Sequence, residues 1–387
     1  MIAAAEIFMV SVLFKSFFRK LLLLLNIAVA ALLILACYAG HFNLEAYWYI
    51  GMLTLATVYL AIFNLAFILI WLFIRKLYAL LSLLVLFSCI DPLGNVFKWP
   101  QVTEFNLEKE KNQLRIMSWN VELFGLYNYK ENSGFRDDAI ALIQKYDPDI
   151  ACFQEMACAD SFKNAINYLP DISSKINLPH WHYAYKKKFN FDKKHHFGNI
   201  IYSKYPIVRK KIIEGNPRNY NSIFQYADIL YNGDTIRVFN VHLQTIRLSQ
   251  DNKHYLENPT FDDPGDLENS KTVVKKLKKA FDKHREQADR IRKEIENSPY
   301  PVIVCGDFND VPNSYAYNKI SKGLQDAFTE KGSGISRTFS GISPTLRIDY
   351  IFTDQRFRTL QYQREEKKVS DHFPVVTDVQ PNTEETP

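Results

Sequence analysis

The first hundred residues of this 387-residue chain contain few charged side chains. Through Pro100 there are three acidic residues and six basic ones: Lys15, Arg19, Lys20, Arg75, Lys76 and Lys98. This stretch lacks the charge that a soluble surface carries. The remaining residues are nearly neutral, with 41 of the 47 basic and 39 of the 42 acidic side chains. Their charge therefore does not indicate a body dedicated to nucleic-acid binding.

Two further features are missing from the sequence. Its five cysteines show no spacing that requires pairing, so no disulfide framework is indicated and cysteine usage does not identify a compartment. There is also no Gly-x-Ser-x-Gly segment, which argues against a serine hydrolase of the α/β-hydrolase type.

Apolar runs in the amino-terminal third predict membrane-spanning helices. Leu21–Gly40 has Asn26 as its one strongly polar residue, and Tyr47–Ile74 is longer, with aromatic residues near its ends. Both runs reach the roughly 20 apolar residues that a spanning helix needs. We predict a third span over residues 77–97, provided that Asp91 is tolerated near the interface. The alternatives are a buried core helix or a cleaved signal peptide, but the later apolar runs argue against cleavage and release.

The basic residues predict how these spans are oriented in the cell membrane. Three basic residues precede the first run and Arg75-Lys76 follow the second, whereas His41–Ala46 contains no Lys or Arg. Because cytoplasmic loops are enriched in Lys and Arg, the amino terminus and the Arg75 loop are predicted to be cytoplasmic. With three spans, the rest of the chain emerges on the outer (periplasmic or extracellular) side; with only two, it stays in the cytoplasm.

The rest of the chain is predicted to form a linker over residues 101–112, a folded body over 113–380 and a polar tail over 381–387. Within the body, Arg136–Tyr146 and Ser270–Asn297 have helical patterns, and Asn232-Gly233 predicts a hairpin turn. The predicted strands are Leu114–Val121, Ile150–Gln154, Asn199–Tyr202, Phe224–Leu230, Ile236–Leu243, Val302–Cys305, Ile348–Phe352 and Val375–Val379. This alternation predicts an α/β or α+β fold with large mixed sheets.

Six groups of polar residues lie where predicted strands end, which is where open sheets place active sites. They are Asn120, Glu155, His242, the Gly306–Asp310 cluster, the Arg347–Tyr350 segment with Asp349, and the Ser370–Pro374 segment with Asp371 and His372. Each alone is more often a turn residue, a cap or a satisfied core histidine. Six such groups on one chain are harder to explain without a function.

Together these segments resemble the endonuclease/exonuclease/phosphatase superfamily, from about Leu114 to Val379. The segments that carry the resemblance are Trp119-Asn120-Val121, Gln154-Glu155, Gly198–Pro206, Val241-His242-Leu243, Gly306–Asp310 and Ser370–Pro374. The resemblance implies a four-layer sandwich of two mixed β-sheets flanked by helices. It also implies a metal-dependent hydrolase acting on ester bonds of phosphate.

The resemblance implies a role for each polar residue. Glu155 would be the principal Mg²⁺ ligand, with Asn120 and Asp371 assisting and Mn²⁺ as a substitute ion; Mg²⁺ prefers such hard oxygen ligands. Asp307 would orient or deprotonate the attacking water, and Asn309 would hold the phosphate or Asp307 itself.

Three further side chains would act on the phosphate. His372 would donate a hydrogen bond to a phosphate oxygen, and Asp349 would hold its ring in the correct tautomer. His242 would contact the phosphate from the other side.

Three segments bear on the substrate. Lys186–His196 is basic with interleaved aromatics, and Lys194, His196 and the nearby Asn199 are predicted to bind substrate phosphate; a solvated loop is the alternative. Lys271–Lys283 is either a solvated helix face or a membrane-surface contact. Gln244–Asn269 is interpreted as a lid-like loop, with disorder as the alternative.

Three functional hypotheses stay open. The first is a membrane-tethered nuclease or nucleotide phosphodiesterase, and the second is a phospholipid-headgroup hydrolase of the sphingomyelinase-like kind. The third is a non-catalytic membrane-bound binding protein. The expected partners are the lipid bilayer and a phosphate ester, namely a nucleic acid, a nucleotide or a phospholipid; no obligate protein partner is inferred.

Overall fold

The computed structural model describes residues 2–42, 44–100, 104–128, 134–159, 167, 169–190, 194–213, 223–257 and 264–382. Its helices are α1 Ile2–Cys37, α2 Leu44–Leu53, α3 Thr57–Ile74, α4 Lys76–Ser88, α5 Ile90–Gly94, α6 Gly134–Tyr146, α7 Leu169–Lys175, α8 Gln250–Glu257, α9 Pro264–Glu296, α10 Tyr315–Ser321 and α11 Ala327–Lys331. Its strands are β1 Leu114–Asn120, β2 Ile150–Ala159, β3 His180–Asn190, β4 His195–Ser203, β5 Ile207–Ile213, β6 Phe224–Tyr231, β7 Asp234–His242, β8 Val302–Asp307, β9 Leu324–Asp326, β10 Asp349–Asp354, β11 Phe357–Arg364 and β12 Val375–Pro381.

The amino-terminal helices bury a few polar side chains within an apolar core and expose large apolar side chains on the outside. Asn26 of α1 donates to Ser82 Oγ of α4 at 2.6 Å and accepts from the Trp71 indole of α3 at 2.9 Å. Outside, Phe73 is 91% exposed and Phe87 is 73% exposed. Such an arrangement is typical of helices that are surrounded by lipid. Two stretches, Leu13–Cys37 and Ala46–Ile74, are long and apolar enough to cross a membrane.

The predicted third span over residues 77–97 is wrong as a single continuous helix. Helix α4 ends at Ser88, and the separate short helix α5 follows the kink at Cys89. The physical reason is Pro92, whose ring clashes with the carbonyl four residues earlier, that of Ser88. The Tyr38 hydroxyl donates to this carbonyl at 2.6 Å. The 13 residues of α4 rise about 20 Å, less than the roughly 30 Å of a bilayer's hydrocarbon core.

The body after the linker consists of two six-stranded sheets, in the orders β11-β12-β1-β2-β4-β3 and β5-β6-β7-β8-β10-β9. Each sheet has one parallel pair, β1 with β2 and β7 with β8, among antiparallel neighbours. The core between the sheets includes Ile116, Cys152, Val238 and Ile303. One outer core contains residues of α6 and α7, and the other contains residues of α9 and α10. The predicted four-layer sandwich of two mixed sheets with flanking helices is therefore confirmed.

The segments around the strands differ in part from the predictions. The Asn232-Gly233 turn is confirmed, with φ angles of 51° and 92°. The described part of the predicted linker is held on the sandwich, because the Arg115 guanidinium donates to the carbonyls of Asn106 and Leu107. Of the predicted tail, Pro381 belongs to β12, and residues 383–387 lie outside the described residues.

Candidate active site

The two parallel strand pairs end at the same edge of the sandwich, and the candidate site lies there. In register, Asn120 is opposite Gln154 in one sheet, and His242 is opposite Asp307 in the other. The Asn120 side-chain amide donates to Asp307 Oδ2 at 3.0 Å and so joins the two sheets. Four of the predicted strand ends therefore meet at one place.

A buried polar network supports this edge from inside the sandwich. The Gln154 amide donates to Asn240 Oδ1 at 2.8 Å, and the Asn240 amide donates to the carbonyls of Phe153 and Ile200. Because each buried donor here has a partner across the sheets, the strand ends are held in a defined relative position.

Asp307 is the last residue of β8 and is almost completely buried. Its Oδ1 accepts from the Asn309 backbone amide at 2.8 Å, while the Asn309 side chain donates to the Leu243 carbonyl. A Cβ on Gly306 would come within 2.0 Å of the Val241 carbonyl oxygen, so only glycine permits this approach of β7 and β8. Burial raises the pKa of Asp307 even though two histidines act to lower it.

His372 forms a buried ion pair with Asp349. Its Nδ1 lies 2.9 Å from Asp349 Oδ2, and its Nε2 points toward Asp307 Oδ2 at 3.7 Å. Burial alone would lower the pKa of His372, but the charges of Asp349 and Asp307 outweigh this and raise it to about 10. The loop itself is fixed by the Trp119 indole, which donates to the His372 carbonyl at 3.0 Å. His372 therefore carries a proton at neutral pH and offers Nε2–H as a donor.

Glu155 lies at a bulge in β2, where the register with β4 shifts between Phe153 and Met156. Its φ is 53°, a left-handed conformation that turns the side chain out of the regular sheet pattern. The side chain is 24% exposed and lines the same pocket as Asp371. Burial raises the pKa of Glu155 to about 7, with His372 opposing the rise and Asp307 adding to it.

His242 lies beneath these carboxylates. Its Nε2 is 3.6 Å from Glu155 Oε1 and 3.6 Å from Asp307 Oδ2. Burial lowers the pKa of His242 to about 4, so the ring is neutral at pH 7. Nε2 has no hydrogen-bond partner among the described residues. His242 and His372 thus flank Asp307 in opposite protonation states.

Glu122 is a site residue that the sequence reasoning missed. Its Oε2 accepts from the Asp371 backbone amide at 3.1 Å, and its own amide donates to Asn120 Oδ1 at 3.2 Å. Partial desolvation and the charge of Asp371 raise the pKa of Glu122. The only sequence signal was a carboxylate two residues after a strand-end asparagine, which is too common to single out.

The donor set fits a divalent metal ion. The carboxylates of Glu155 and Asp371 and the amide of Asn120 line one pocket, and hard oxygen ligands of this kind suit Mg²⁺. Burial raises the pKa of Glu155, and the charges of Asp307 and Asp371 add to the rise, so a cation in this pocket would be stabilised by these carboxylates. Ligand atoms of Asp307, Asp349 and His372 also lie within 4.8 Å of one another. In that second group, however, the His372 Nδ1 is already bonded to Asp349.

The three predicted phosphate-binding residues on and beside β4 lie elsewhere. Asn199 is buried, and its amide donates to the Ile223 carbonyl at 2.8 Å. His196 is opposite Cys158 and stacks on Tyr185 at 4.8 Å, and Lys194 is exposed just before the strand. None of the three lines the pocket that contains Glu155 and Asp307. Residues 191–193 and the side chains of 186–190 lie outside the described part of the chain.

The predicted lid-like segment contributes to the pocket wall. Thr245, Ile246 and Leu248 line the pocket, and so does Lys253 of α8. The segment is partly helical, because α8 and the start of α9 fall within it. Residues 258–263 between these helices lie outside the described residues.

Comparisons with known proteins agree with this geometry. Residues 117–372 match the Endonuclease/Exonuclease/phosphatase family, and residues 19–96 match a domain of unknown function, DUF8431. No curated protein matches the chain.

Two solved structures have a similar fold. An endonuclease/exonuclease/phosphatase from Beutenbergia cavernae is 18% identical, with a TM-score of 0.51 over 70% of this chain and 72% of that one. A second, from Bacteroides vulgatus, is also 18% identical, with a TM-score of 0.50 over 70% of this chain and 100% of that one. Because both structures are only 18% identical to this chain, they support the fold alone. The family match over residues 117–372 covers more than half of the chain. On that match, the chain belongs to the endonuclease/exonuclease/phosphatase family.

Proposed function

We propose that this protein is a membrane-tethered, divalent-metal-dependent phosphoesterase that hydrolyses phosphodiester or phosphomonoester bonds. Members of its family are hydrolases that act on phosphoester bonds. The observation that carries the proposal is the meeting of Glu155, Asp307 and protonated His372 in one pocket. A non-catalytic binding protein would not need this combination of oxygen donors, base and acid.

Glu155, Asn120 and Asp371 would hold the metal ion, with Mg²⁺ preferred and Mn²⁺ as a substitute. When bound, the ion supplies positive charge that offsets the anionic phosphate and its developing charge. The carboxylate of Glu155 has a pKa of about 7 without the ion, so proton release should accompany metal binding near neutral pH.

The other side chains act on water and phosphate. Asp307 accepts hydrogen bonds from Asn120 and Asn309 and is positioned to orient or deprotonate water. His372, held protonated by Asp349, donates from Nε2 to a phosphate oxygen. His242 is neutral, and its unpartnered Nε2 can accept or donate beside the same carboxylates.

We propose a multi-pass location in the cell membrane with the sandwich on the outer side. Although α4 alone is too short to span, α4 and α5 together return the chain from the Arg75-Lys76 turn to the end of the helices where the sandwich lies. Arg75 and Lys76 form the turn between α3 and α4 at one end of the helices. At the other end, Asn313 of the sandwich accepts from the Gly40 amide and bonds to Asn95. The basic turn and the sandwich thus lie at opposite ends, which matches the orientation that Lys and Arg predict.

A substrate panel tests the proposal. The purified full-length protein should hydrolyse at least one of DNA, RNA, a phosphoinositide, sphingomyelin and a chromogenic diester when Mg²⁺ is present. Activity should disappear with EDTA and return with Mg²⁺ or Mn²⁺. The Glu155→Gln variant, which keeps the size of the side chain, should be inactive while retaining its melting temperature. Absence of metal-dependent turnover on every substrate would support the non-catalytic binding protein instead.

A further inference from the structure

The pocket that contains the catalytic residues has a second wall, which is apolar. Besides the carboxylates, it is lined by Leu55, Ile246, Leu248, Phe281, Ile342 and Leu346. A site for a small hydrophilic phosphate ester would not need six apolar side chains beside its charged groups. Apolar lining of this kind binds an apolar part of the ligand.

The membrane region supplies part of this wall. Leu55 lies between α2 and α3, and with Met52 it packs on Val273, Leu277 and Phe281 of α9. In the first turn of α3, the Tyr59 hydroxyl lies 3.1 Å from Ser343 Oγ in the loop that carries Ile342. The amino-terminal helical region therefore contributes to the active site as well as to membrane attachment, because the Leu55 side chain lines the pocket.

An apolar surface leads from the pocket along α3. Tyr59, Ile62 and Phe63 are 41%, 55% and 56% exposed, and their helical spacing places them on one face of α3. The contact between Tyr59 and Ser343 joins this face to the loop that carries Ile342 of the pocket lining. This face continues into a stretch that is apolar and long enough to cross a bilayer. A hydrocarbon chain in the bilayer could thus lie along α3 with its polar end in the pocket.

Basic residues lie in the pocket and on α9, the helix that supplies Phe281 to the pocket lining. Lys253 lines the pocket, and Lys271, Lys275 and Lys279 are exposed on α9. Lys278 lies 5.1 Å from the ring of Trp48 in α2. Lysines at a membrane surface attract anionic lipid headgroups, and a tryptophan beside them is typical of the membrane–water interface.

We propose that the substrate is a lipid phosphate ester, with its phosphate at Glu155, Asp307 and His372 and its hydrocarbon chain along Leu55 and the exposed face of α3. This rests on the phosphoesterase function proposed above and names its substrate class. In the reaction, water adds to phosphorus, one P–O ester bond breaks, and the departing oxygen takes up a proton. Hydrolysis needs no oxidant or further reactant. The same pocket chemistry serves a lipid phosphomonoester and a headgroup phosphodiester.

The test compares matched lipid and water-soluble substrates on full-length protein in phospholipid nanodiscs with Mg²⁺. Dioleoyl phosphatidic acid is paired with glycerol 3-phosphate, and dioleoyl phosphatidylglycerol is paired with glycerophosphoglycerol. The two pairs distinguish monoester from diester cleavage. For at least one pair, kcat/KM should be at least about 100-fold higher for the lipid, because several apolar contacts are gained. Equal values in both pairs, or cleavage of DNA or RNA in preference to every lipid, would overturn the proposal.

Two variants test whether Leu55 contributes to the preference for lipid substrates. Leu55→Gln should lower the ratio of lipid to soluble turnover about tenfold, the effect of losing one good apolar contact. The control is Leu84→Gln, which changes an α4 side chain that is 65% exposed and lies outside the pocket lining, and which should leave the ratio unchanged. An unchanged ratio in Leu55→Gln, or equal losses in both variants, would count against the proposal. If wild-type protein hydrolyses soluble esters but not lipids, the phosphoesterase function stands and only the lipid assignment fails.

Discussion

Replacing Asp349 by asparagine should make the activity of this protein sensitive to alkaline pH. Asp349 Oδ2 lies 2.9 Å from His372 Nδ1 and stabilises positive charge on the ring. Burial lowers the pKa of His372, and the charges of Asp349 and Asp307 overcome this and raise it to about 10. In the wild type, His372 therefore keeps its donor proton through the neutral and mildly alkaline range.

The size of the effect follows from the charge that is lost. Asparagine can still accept the hydrogen bond from Nδ1, but it no longer stabilises the imidazolium. Without the charge of Asp349, less opposes the lowering effect of burial. The pKa of His372 should therefore fall toward or below its ordinary value of 6.5. At pH 8.5, only about one molecule in a hundred would still carry the proton. We expect the variant's turnover relative to wild type to fall about 100-fold between pH 6 and pH 8.5.

The assay is the pH dependence of kcat at saturating Mg²⁺ on one substrate, measured between pH 6 and pH 9. Asp349→Glu serves as the control because it keeps the negative charge, and it should keep the alkaline plateau at a reduced rate. A constant ratio of Asp349→Asn to wild-type turnover across this range would show that His372 does not act as a charged donor.

Three further predictions test the site and the helices. Asp307→Asn should reduce kcat at least about 100-fold with an unchanged melting temperature, because the base is lost while the shape is kept. Gly306→Ala should lower the melting temperature and abolish activity together, since its Cβ would lie 2.0 Å from the Val241 carbonyl oxygen; we expect a cost of about 3 kcal/mol or more. Asn26→Leu should destabilise the helical region in detergent by about 1 kcal/mol, measured by thermal unfolding, because the Trp71 indole loses its acceptor.

The sheet order could not be read from the sequence, and the strands that were missed explain why. Strands β3, β5, β9 and β11 were not predicted, and they are the four edges of the two sheets. An edge strand has one side open to water, so its apolar pattern is weak. In β5, five consecutive residues between Ile207 and Ile213 are exposed. The central strands were predicted because both of their faces are buried.

The buried ion pairs could not be predicted from the sequence either. Arg115 is completely buried and binds both carboxylate oxygens of Asp378 at 2.7 and 2.8 Å. Nothing in the local pattern distinguishes this arginine from a surface one, because its partner is 263 residues away. The same is true of Arg347, which was seen only as a neighbour of Asp349 and which pairs with Asp326 at 2.9 Å.

The candidate site was more accessible to prediction than the fold around it. Polar residues at the ends of buried strands are conspicuous, and the parallel pairs bring four of these ends together. The apolar wall was not foreseen, because Leu55 belongs to a run that reads only as a membrane helix. Its position beside Phe281 depends on how the helices dock on the sandwich.

The decisive measurement is phosphate-ester hydrolysis by purified full-length protein and by its Glu155→Gln variant, with Mg²⁺ and with EDTA. If Glu155 holds the metal ion, wild-type protein should be active only with Mg²⁺, and the variant should be at least about 100-fold slower with the same melting temperature. Equal turnover in EDTA, or near-normal turnover by Glu155→Gln, would contradict a metal-dependent mechanism at this site.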